Sequence, residues 1–331
     1  MKKEILYITE WVSYIKRWEN TIVVVKKDET KKVIPIEIIE SLYIFTQLSI
    51  TTWLLEILNK YNIPIYFHGY YWNYTGSFYP REQTTSWAII VDQVNNFSND
   101  WLWYAKKLMY SAFSNMIKVL NRYNNLVDKE KILRLKEIRN NIDNICSIND
   151  LMWLEWIFRQ IYYSQFSKCI KNSKFSFNDR NRQPPTDPVN SLMSLLNMCC
   201  YNMVNDSIIK SQLSPFISFY HSMNQNRYNL SLDIAEIFKP ILVDRLILKL
   251  LNNNMLKPSD FTKDKVIWIV KLKEASYKKV MNEWNMTIND NITLKQLWKK
   301  YTWKSIVKFE CYKIIKYWWE KNNFNFYILN D

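Results

Sequence analysis

The chain is almost without glycine: it has two in 331 residues, Gly69 and Gly76. Average usage would give roughly 23. Turns that require a positive φ therefore lack the residue that adopts it at no steric cost. Histidine is equally scarce, with only His68 and His221. The five cysteines form no C-x-x-C pair, and Cys199 and Cys200 are adjacent. That argues against a disulfide framework or a zinc site and for reduced thiols in a cytoplasm. No apolar run is long enough to span a bilayer. The N-terminus, MKKEILYITE, is basic but has no apolar core, so no signal peptide is expected. Internal repeats, low-complexity tracts and long linkers are also missing.

What is present is a globular composition, 48% apolar, in a chain long enough for two domains. The 45 basic residues exceed the 31 acids, for a net charge of +14. A field of that sign favours a polyanionic partner, either nucleic acid or an anionic membrane surface. The plainer alternative is a basic but otherwise ordinary soluble protein. Tryptophan is abundant, at 15 residues. Tryptophan and glycine together make up about 5% of the chain, near a usual glycine content.

The order of patterns predicts an α+β chain. Residues 1–85 read as a β-rich domain and 86–331 as a larger α-helical one. In the first part, "KEILYITE", "NTIVVVKK", "KKVIPIEII", "SLYIFTQ" and "IPIYFHG" are short and rich in β-branched and aromatic residues. "SITTWLLEILNKYN" among them has helical spacing. Two turns look wrong: a hairpin in "YIKRWENTIVVV" would place Trp18-Glu19 at its tip, and "YYWNYTGSF" puts Trp72-Asn73 where a turn favours glycine. Tryptophan at positive φ is a steric outlier.

In the second part the amphipathic spacing is helical. "INDLMWLEWIFRQIYYSQF" carries Leu151, Leu154, Phe158 and Ile161 as one apolar stripe. Asp187 can cap the helix that begins at Pro188. Pro240, inside "LSLDIAEIFKPILVDRLILKLL", predicts a kink. A strand pair near 264–272 and two further helical stretches close the chain.

Few residues here could carry chemistry. His68 ends a strand ahead of Gly69 and reads as structural. His221 lies upstream of Asp233 and Glu236, which share a helix face at i and i+3, with Lys239 three further on. One histidine, an Asp-x-x-Glu pair and a distant glutamate are ligand types that suit Mg²⁺ or Mn²⁺. Spacing alone is a weak signal and favours the plainer reading, a solvated helix face laced with ion pairs. Glu155 sits between Trp153 and Trp156 and off the apolar stripe. With Arg159 it forms an i,i+4 pair, so pattern leaves it open between a surface ion pair and a metal ligand.

At these residues the chain resembles the Cas1 family, the CRISPR-associated integrases of spacer acquisition. "NTIVVVKK", "SITTWLLEIL" and "YYWNYTGSFYPRE" resemble its N-terminal domain. "LMWLEW", "PPTDPVNSLMS", "QLSPFISFYHS" and "SLDIAEIFKPILVDRLI" resemble its helical domain, in order and spacing. The resemblance implies a β-sandwich-like, dimerising N-terminal domain with a short helix, followed by an all-α catalytic domain. It implies a homodimer that assembles with the small protein Cas2. It also implies a metal-dependent DNA endonuclease and integrase that joins prespacer 3′-hydroxyls to the CRISPR repeat by transesterification. Its metal and catalytic residues map onto Glu155, His221 and Glu236, with Asp233 and Lys239 supporting them and Mg²⁺ or Mn²⁺ bound. Lys239 and Arg159 are candidate DNA contacts, while Arg245, beside Asp244, reads as structural.

The family pattern over residues 152–156 is M-G-x-E-G; here it reads Met152-Trp153-Leu154-Glu155-Trp156. Trp72 and Trp87 also stand where the family commonly has glycine. Some bacterial lineages read UGA as glycine. Translating UGA as tryptophan would account for both the glycine deficit and the tryptophan excess. Two rival readings follow. A structural, DNA-binding relative without chemistry is favoured if Trp153 and Trp156 are literal, since indoles there could obstruct a phosphate. A transposon-type integrase of the same family often carries an extra C-terminal DNA-binding segment, and the ending "KYWWEKNNFNFYILND" speaks against it.

Overall fold

The structure is a computed structural model that describes residues 4–8, 12–69, 74–80, 86–181, 184–221, 228–263, 269–294, 299–321 and 323–329. A β-rich region comes first and a helical region second, as expected of an α+β chain. The chain divides into two compact units, Met1–Thr84 and Thr85–Asp331.

The first unit contains β1 (Glu4–Ile8), β2 (Val12–Trp18), β3 (Thr21–Lys26), β4 (Lys31–Pro35), β5 (Ile39–Ile44), β6 (Ser49–Ile50), helix α1 (Thr52–Lys60), β7 (Ile65–His68) and β8 (Tyr74–Phe78). They form two sheets, ordered β1-β5-β7-β8 and β4-β3-β2-β6. Both sheets and α1 feed one apolar core, including Ile15, Ile22, Leu42, Ile65, Ile57 and Leu58. Interior strand β3 shows why its sequence does not alternate: Ile22 to Val25 are all buried, as expected of a strand covered on both faces. Thr51 starts α1 by accepting the Leu54 amide on its hydroxyl at 3.3 Å.

The predicted hairpin exists, but its tip is one residue later than the sequence suggested. Trp18 pairs with Thr21 at the end of the ladder, so the loop is Glu19-Asn20. The positive φ, 52°, falls on Glu19, and Trp18 keeps a strand position. Pairing register decided the turn, and the indole never has to adopt the left-handed region. The other odd turn, at Trp72-Asn73, lies outside the described residues. His68 stacks on Phe45 with ring centroids 4.5 Å apart, and burial pushes its pKa down to about 3. Both facts agree with a structural histidine.

The second unit begins with α2 (Trp87–Asn121), followed by α3 (Lys129–Asn140), α4 (Ile148–Cys169), α5 (Pro188–Lys210), α6 (Asn229–Phe238) and α7 (Arg245–Asn252). After them come the pair β9 (Phe261–Lys263) and β10 (Val270–Leu272), then α8 (Glu274–Asn289), the pair β11 (Asn291–Leu294) and β12 (Lys299–Thr302), and α9 (Trp303–Glu320). A strand pair was expected near 264–272; β10 falls there, but its partner β9 ends at Lys263, ahead of that range, and residues 264–268 are outside the described set. The β11–β12 pair was not expected: its four-residue strands are too short for alternation to stand out.

Asp187 caps α5 by accepting the Asn190 amide at 2.9 Å, with Pro188 in the first turn. The stripe of α4 runs through Leu151, Leu154 and Phe158 as predicted, then continues through buried Tyr162 and Phe166 in place of Ile161. Helical spacing allowed either continuation, and the larger rings took the core. Phe158 stacks on Phe113 of α2 with ring centroids 3.8 Å apart. The kink expected at Pro240 takes the form of a π-helical segment, Lys239–Asp244, between α6 and α7. Proline has no amide hydrogen to donate, and the widened turn absorbs the missing bond. Helix α6 is buried nearly all round and packs against α2 and α5. Any polar group on it is therefore held in the interior, where it needs partners.

Candidate functional site

Asp233, on α6, is fully buried. One of its carboxylate oxygens, Oδ2, accepts the amides of Phe219 at 3.0 Å and Tyr220 at 3.1 Å. The other, Oδ1, accepts the His221 amide at 2.9 Å and contacts the His221 ring Nδ1 at 2.7 Å. Three consecutive backbone donors thus close around one carboxylate, fixing the loop that carries His221. A second clamp lies upstream: Gln93 of α2 donates to the Ser214 and Ile217 carbonyls and accepts the Ser214 amide. Burial disfavours the His221 imidazolium, but the Asp233 bond and charge more than offset it, so the ring titrates above its ordinary value. With Nδ1 on Asp233, Nε2 is the ring nitrogen turned away from the clamp.

Glu236 lies one turn beyond Asp233, 5% exposed. Its Oε1 accepts Lys239 Nζ at 2.5 Å, and its Oε2 pairs with Arg159 Nη2. Arg159 also donates Nε to Glu155 Oε1 at 2.5 Å, and Tyr220 donates its hydroxyl to Glu155 Oε2. One guanidinium therefore joins a glutamate of α4 to a glutamate of α6. Burial would raise the Glu236 pKa, yet Arg159 and Lys239 hold it far below the usual carboxylate range. Lys239 responds in the opposite sense: burial favours its neutral form, but Glu236 holds it above the usual lysine range. The Lys239 ammonium also sits 4.8 Å from the ring centre of Tyr201, a cation–π contact. Behind this layer Tyr162 donates to Asp244 Oδ2 at 2.6 Å, and burial pushes the Asp244 carboxyl up to about 6.

The sequence-predicted residues thus fall into two linked groups. Glu155, Glu236, Lys239 and Arg159 share one ion-pair network; His221 and Asp233 form the clamped loop, joined to the network by Tyr220 and by the α6 backbone. Glu155 does form the i,i+4 pair with Arg159, but at 16% side-chain exposure it is not the surface ion pair that spacing allowed. Among the described residues no three His, Cys, Asp or Glu side chains are arranged to hold a metal ion. Arg159 and Lys239 take the two oxygens of Glu236, and Arg159 and Tyr220 take the two of Glu155. The donor chemistry nevertheless fits a divalent cation: two carboxylates, plus an imidazole whose second nitrogen rests on a carboxylate, as metal-binding histidines commonly do.

Tyr220 and Tyr201 were not foreseen. Tyr220 carried one signal, its place directly before His221. Tyr201 carried none, because it reaches Lys239 from another helix. Trp153 and Trp156 are 64% and 59% exposed, so neither indole is part of the core around Glu155.

The family described as CRISPR associated protein Cas1 matches residues 6–286. This chain belongs to the Cas1 family. A CRISPR-associated endonuclease Cas1 of Fusobacterium nucleatum subsp. nucleatum is 35% identical over 307 residues, covering 92% of this chain and 90% of the relative. Among solved structures, a Cas1 protein of Thermotoga maritima aligns with a TM-score of 0.85 at 26% identity, covering 99% of this chain and 100% of the other. A Cas6-RT-Cas1–Cas2 complex aligns with a TM-score of 0.81 at 18% identity, a likeness of fold alone, covering 99% of this chain and 36% of that one.

Proposed function

We propose that this chain is a metal-dependent DNA endonuclease and integrase that inserts prespacer DNA into a CRISPR array. The observation that carries the reading is the meeting of Glu155 and Glu236 on one buried guanidinium, beside the loop that presents His221. These residues come from segments far apart in sequence, and a buried and a largely buried acid beside a histidine are costly to gather without a use. The family and the endonuclease name of the Fusobacterium relative support it.

In this reading Glu155, His221 and Glu236 hold Mg²⁺ or Mn²⁺. When bound, that cation supplies Lewis-acid stabilisation of charge on the phosphate. The chain's own residues do the rest. Asp233 keeps the His221 proton on Nδ1 and Nε2 available as a ligand. Lys239 sets a positive charge beside the reacting phosphate. The prespacer 3′-oxygen forms a bond to a repeat phosphorus as that phosphorus loses its own 3′-oxygen. The net proton passes from the attacking to the departing hydroxyl, and the number of phosphodiesters is unchanged.

The +14 charge supplies affinity for duplex DNA through its backbone. In this reading the protein is a homodimer, and it assembles with Cas2, a partner suggested by the Cas6-RT-Cas1–Cas2 complex among the structures of like fold. No described helix is long and apolar enough to cross a membrane. The test is joining of a labelled prespacer duplex to a repeat-bearing plasmid, with Cas2 and Mn²⁺. A 3′-hydroxyl end should join and a 3′-dideoxy end should not. Equal products from both ends would overturn the transesterification.

A further inference from the structure

Arg159 has an unusual position for a helix-surface cation. Its side chain is 15% exposed, and it bonds Glu155 through Nε and Glu236 through Nη2. The network balances as it stands: two carboxylates, Glu155 and Glu236, face two cations, Arg159 and Lys239. A divalent cation added to all four groups would bring two further positive charges, and the Asp233 carboxylate behind His221 can offset only one of them, so a positive charge would stay uncompensated in a largely buried place, which is unfavourable. One base must leave the carboxylates.

Lys239 is the less free of the two. It lies three residues from Glu236 at the end of the same helix, and its ammonium is held over the Tyr201 ring. Arg159 touches both acids at once, so its withdrawal opens both together. Its stem rises from α4 on the same side as Glu155, one turn away, so a rotamer change suffices and no helix need move.

We propose that Arg159 is the resident counter-charge of the Glu155–Glu236 pair, holding the site closed in cation-free protein and giving up its seat to an entering divalent cation. This rests on the metal reading of the site but adds an element to it: a residue of the chain competes with the cation. Arg159 is then a positioning residue, and its removal strengthens cation binding while weakening the cation-free fold.

The test uses the full chain without DNA. Mn²⁺ binding is measured by electron paramagnetic resonance of the free ion, and thermal melting is followed in EDTA and in Mn²⁺. Arg159→Met keeps an unbranched apolar stem and removes the guanidinium with its charge. It should bind Mn²⁺ at least about tenfold tighter than wild type, the low end of what residues around a metal site change. It should melt lower than wild type in EDTA, with most of the loss recovered by Mn²⁺. Arg159→Lys, which can pair with one carboxylate at a time, should fall between, and it keeps the test open if the methionine variant does not fold.

Wild-type Mn²⁺ affinity in both variants would overturn the proposal, as would weaker binding. Glu155→Gln separates the two ideas. If wild type binds Mn²⁺ in a way that needs Glu155, but Arg159→Met binds no tighter, the counter-charge fails and the metal reading stands. If neither wild type nor Arg159→Met binds Mn²⁺, both fail.

Discussion

Replacing Asp233 by asparagine changes one oxygen into an NH₂ group, and the structure says what each choice costs. Two donors point at each oxygen: the Phe219 and Tyr220 amides at Oδ2, the His221 amide and ring at Oδ1. If the NH₂ replaces Oδ2, two backbone donors face a donor. If it replaces Oδ1, the imidazole can switch tautomer and accept from the amide, so only the His221 amide is left without an acceptor. The second choice is cheaper. It should cost about 1–3 kcal/mol, the penalty for one buried donor without a partner. It also moves the ring proton to Nε2, the nitrogen needed as a ligand. Loss of such an outer partner typically costs 10–100-fold in metal affinity or activity. The Asp233→Asn protein should therefore unfold at lower urea, yet remain folded in buffer, and lose at least about tenfold in Mn²⁺ affinity and in joining. Asp233→Ala strands all four donors and should be less stable still. An Asp233→Asn protein with wild-type stability and wild-type Mn²⁺ affinity would refute the clamp.

Asp244 should make stability depend on pH. Its folded pKa is raised, by burial, from 3.8 to about 6, so the folded state holds a proton that the unfolded state has lost. Stability should fall as pH rises from about 4 to 6, by about 3 kcal/mol for a shift of that size, and Asp244→Asn should flatten the slope in urea melts at successive pH values. Duplex DNA binding should weaken steeply with salt, by about tenfold or more between roughly 50 and 200 mM if several phosphates are contacted; a flat response in a fluorescence titration would count against the basic surface as the DNA-binding face. The coding sequence should read UGA at positions 72, 87, 153 and 156. It should read UGG at 318, where the indole is buried and donates to the Tyr104 hydroxyl at 3.0 Å. UGG at 153 and 156 would make those tryptophans genuine.

Local rules made much of the fold legible. β-Branched runs marked the strands, Asp187 and Pro188 marked the start of α5, and Pro240 marked the break after α6. What local rules missed depends on pairing or packing across the chain. The hairpin tip moved to Glu19 because Trp18 pairs with Thr21, and the α4 stripe turned toward Tyr162 because larger rings filled the core. The site shows the same division. Asp233 and Glu236 could be placed on one helix face from spacing. Spacing could not tell that one is wrapped by the backbone of residues 219–221 while the other is neutralised by Arg159 and Lys239. Nor could it reveal that the ordinary-looking Glu155–Arg159 pair is half of a bridge to α6, since that contact spans 77 residues.

The most direct measurement is metal-dependent joining of a 3′-hydroxyl prespacer to a repeat-bearing plasmid by wild type, Glu155→Ala, His221→Ala and Glu236→Ala, each with Cas2 and with Mn²⁺ or EDTA. Circular dichroism on the same preparations checks folding. Wild type should join in Mn²⁺ and not in EDTA, and none of the three folded variants should join. Wild-type joining by folded Glu155→Ala protein, or joining that persists in EDTA, would contradict it.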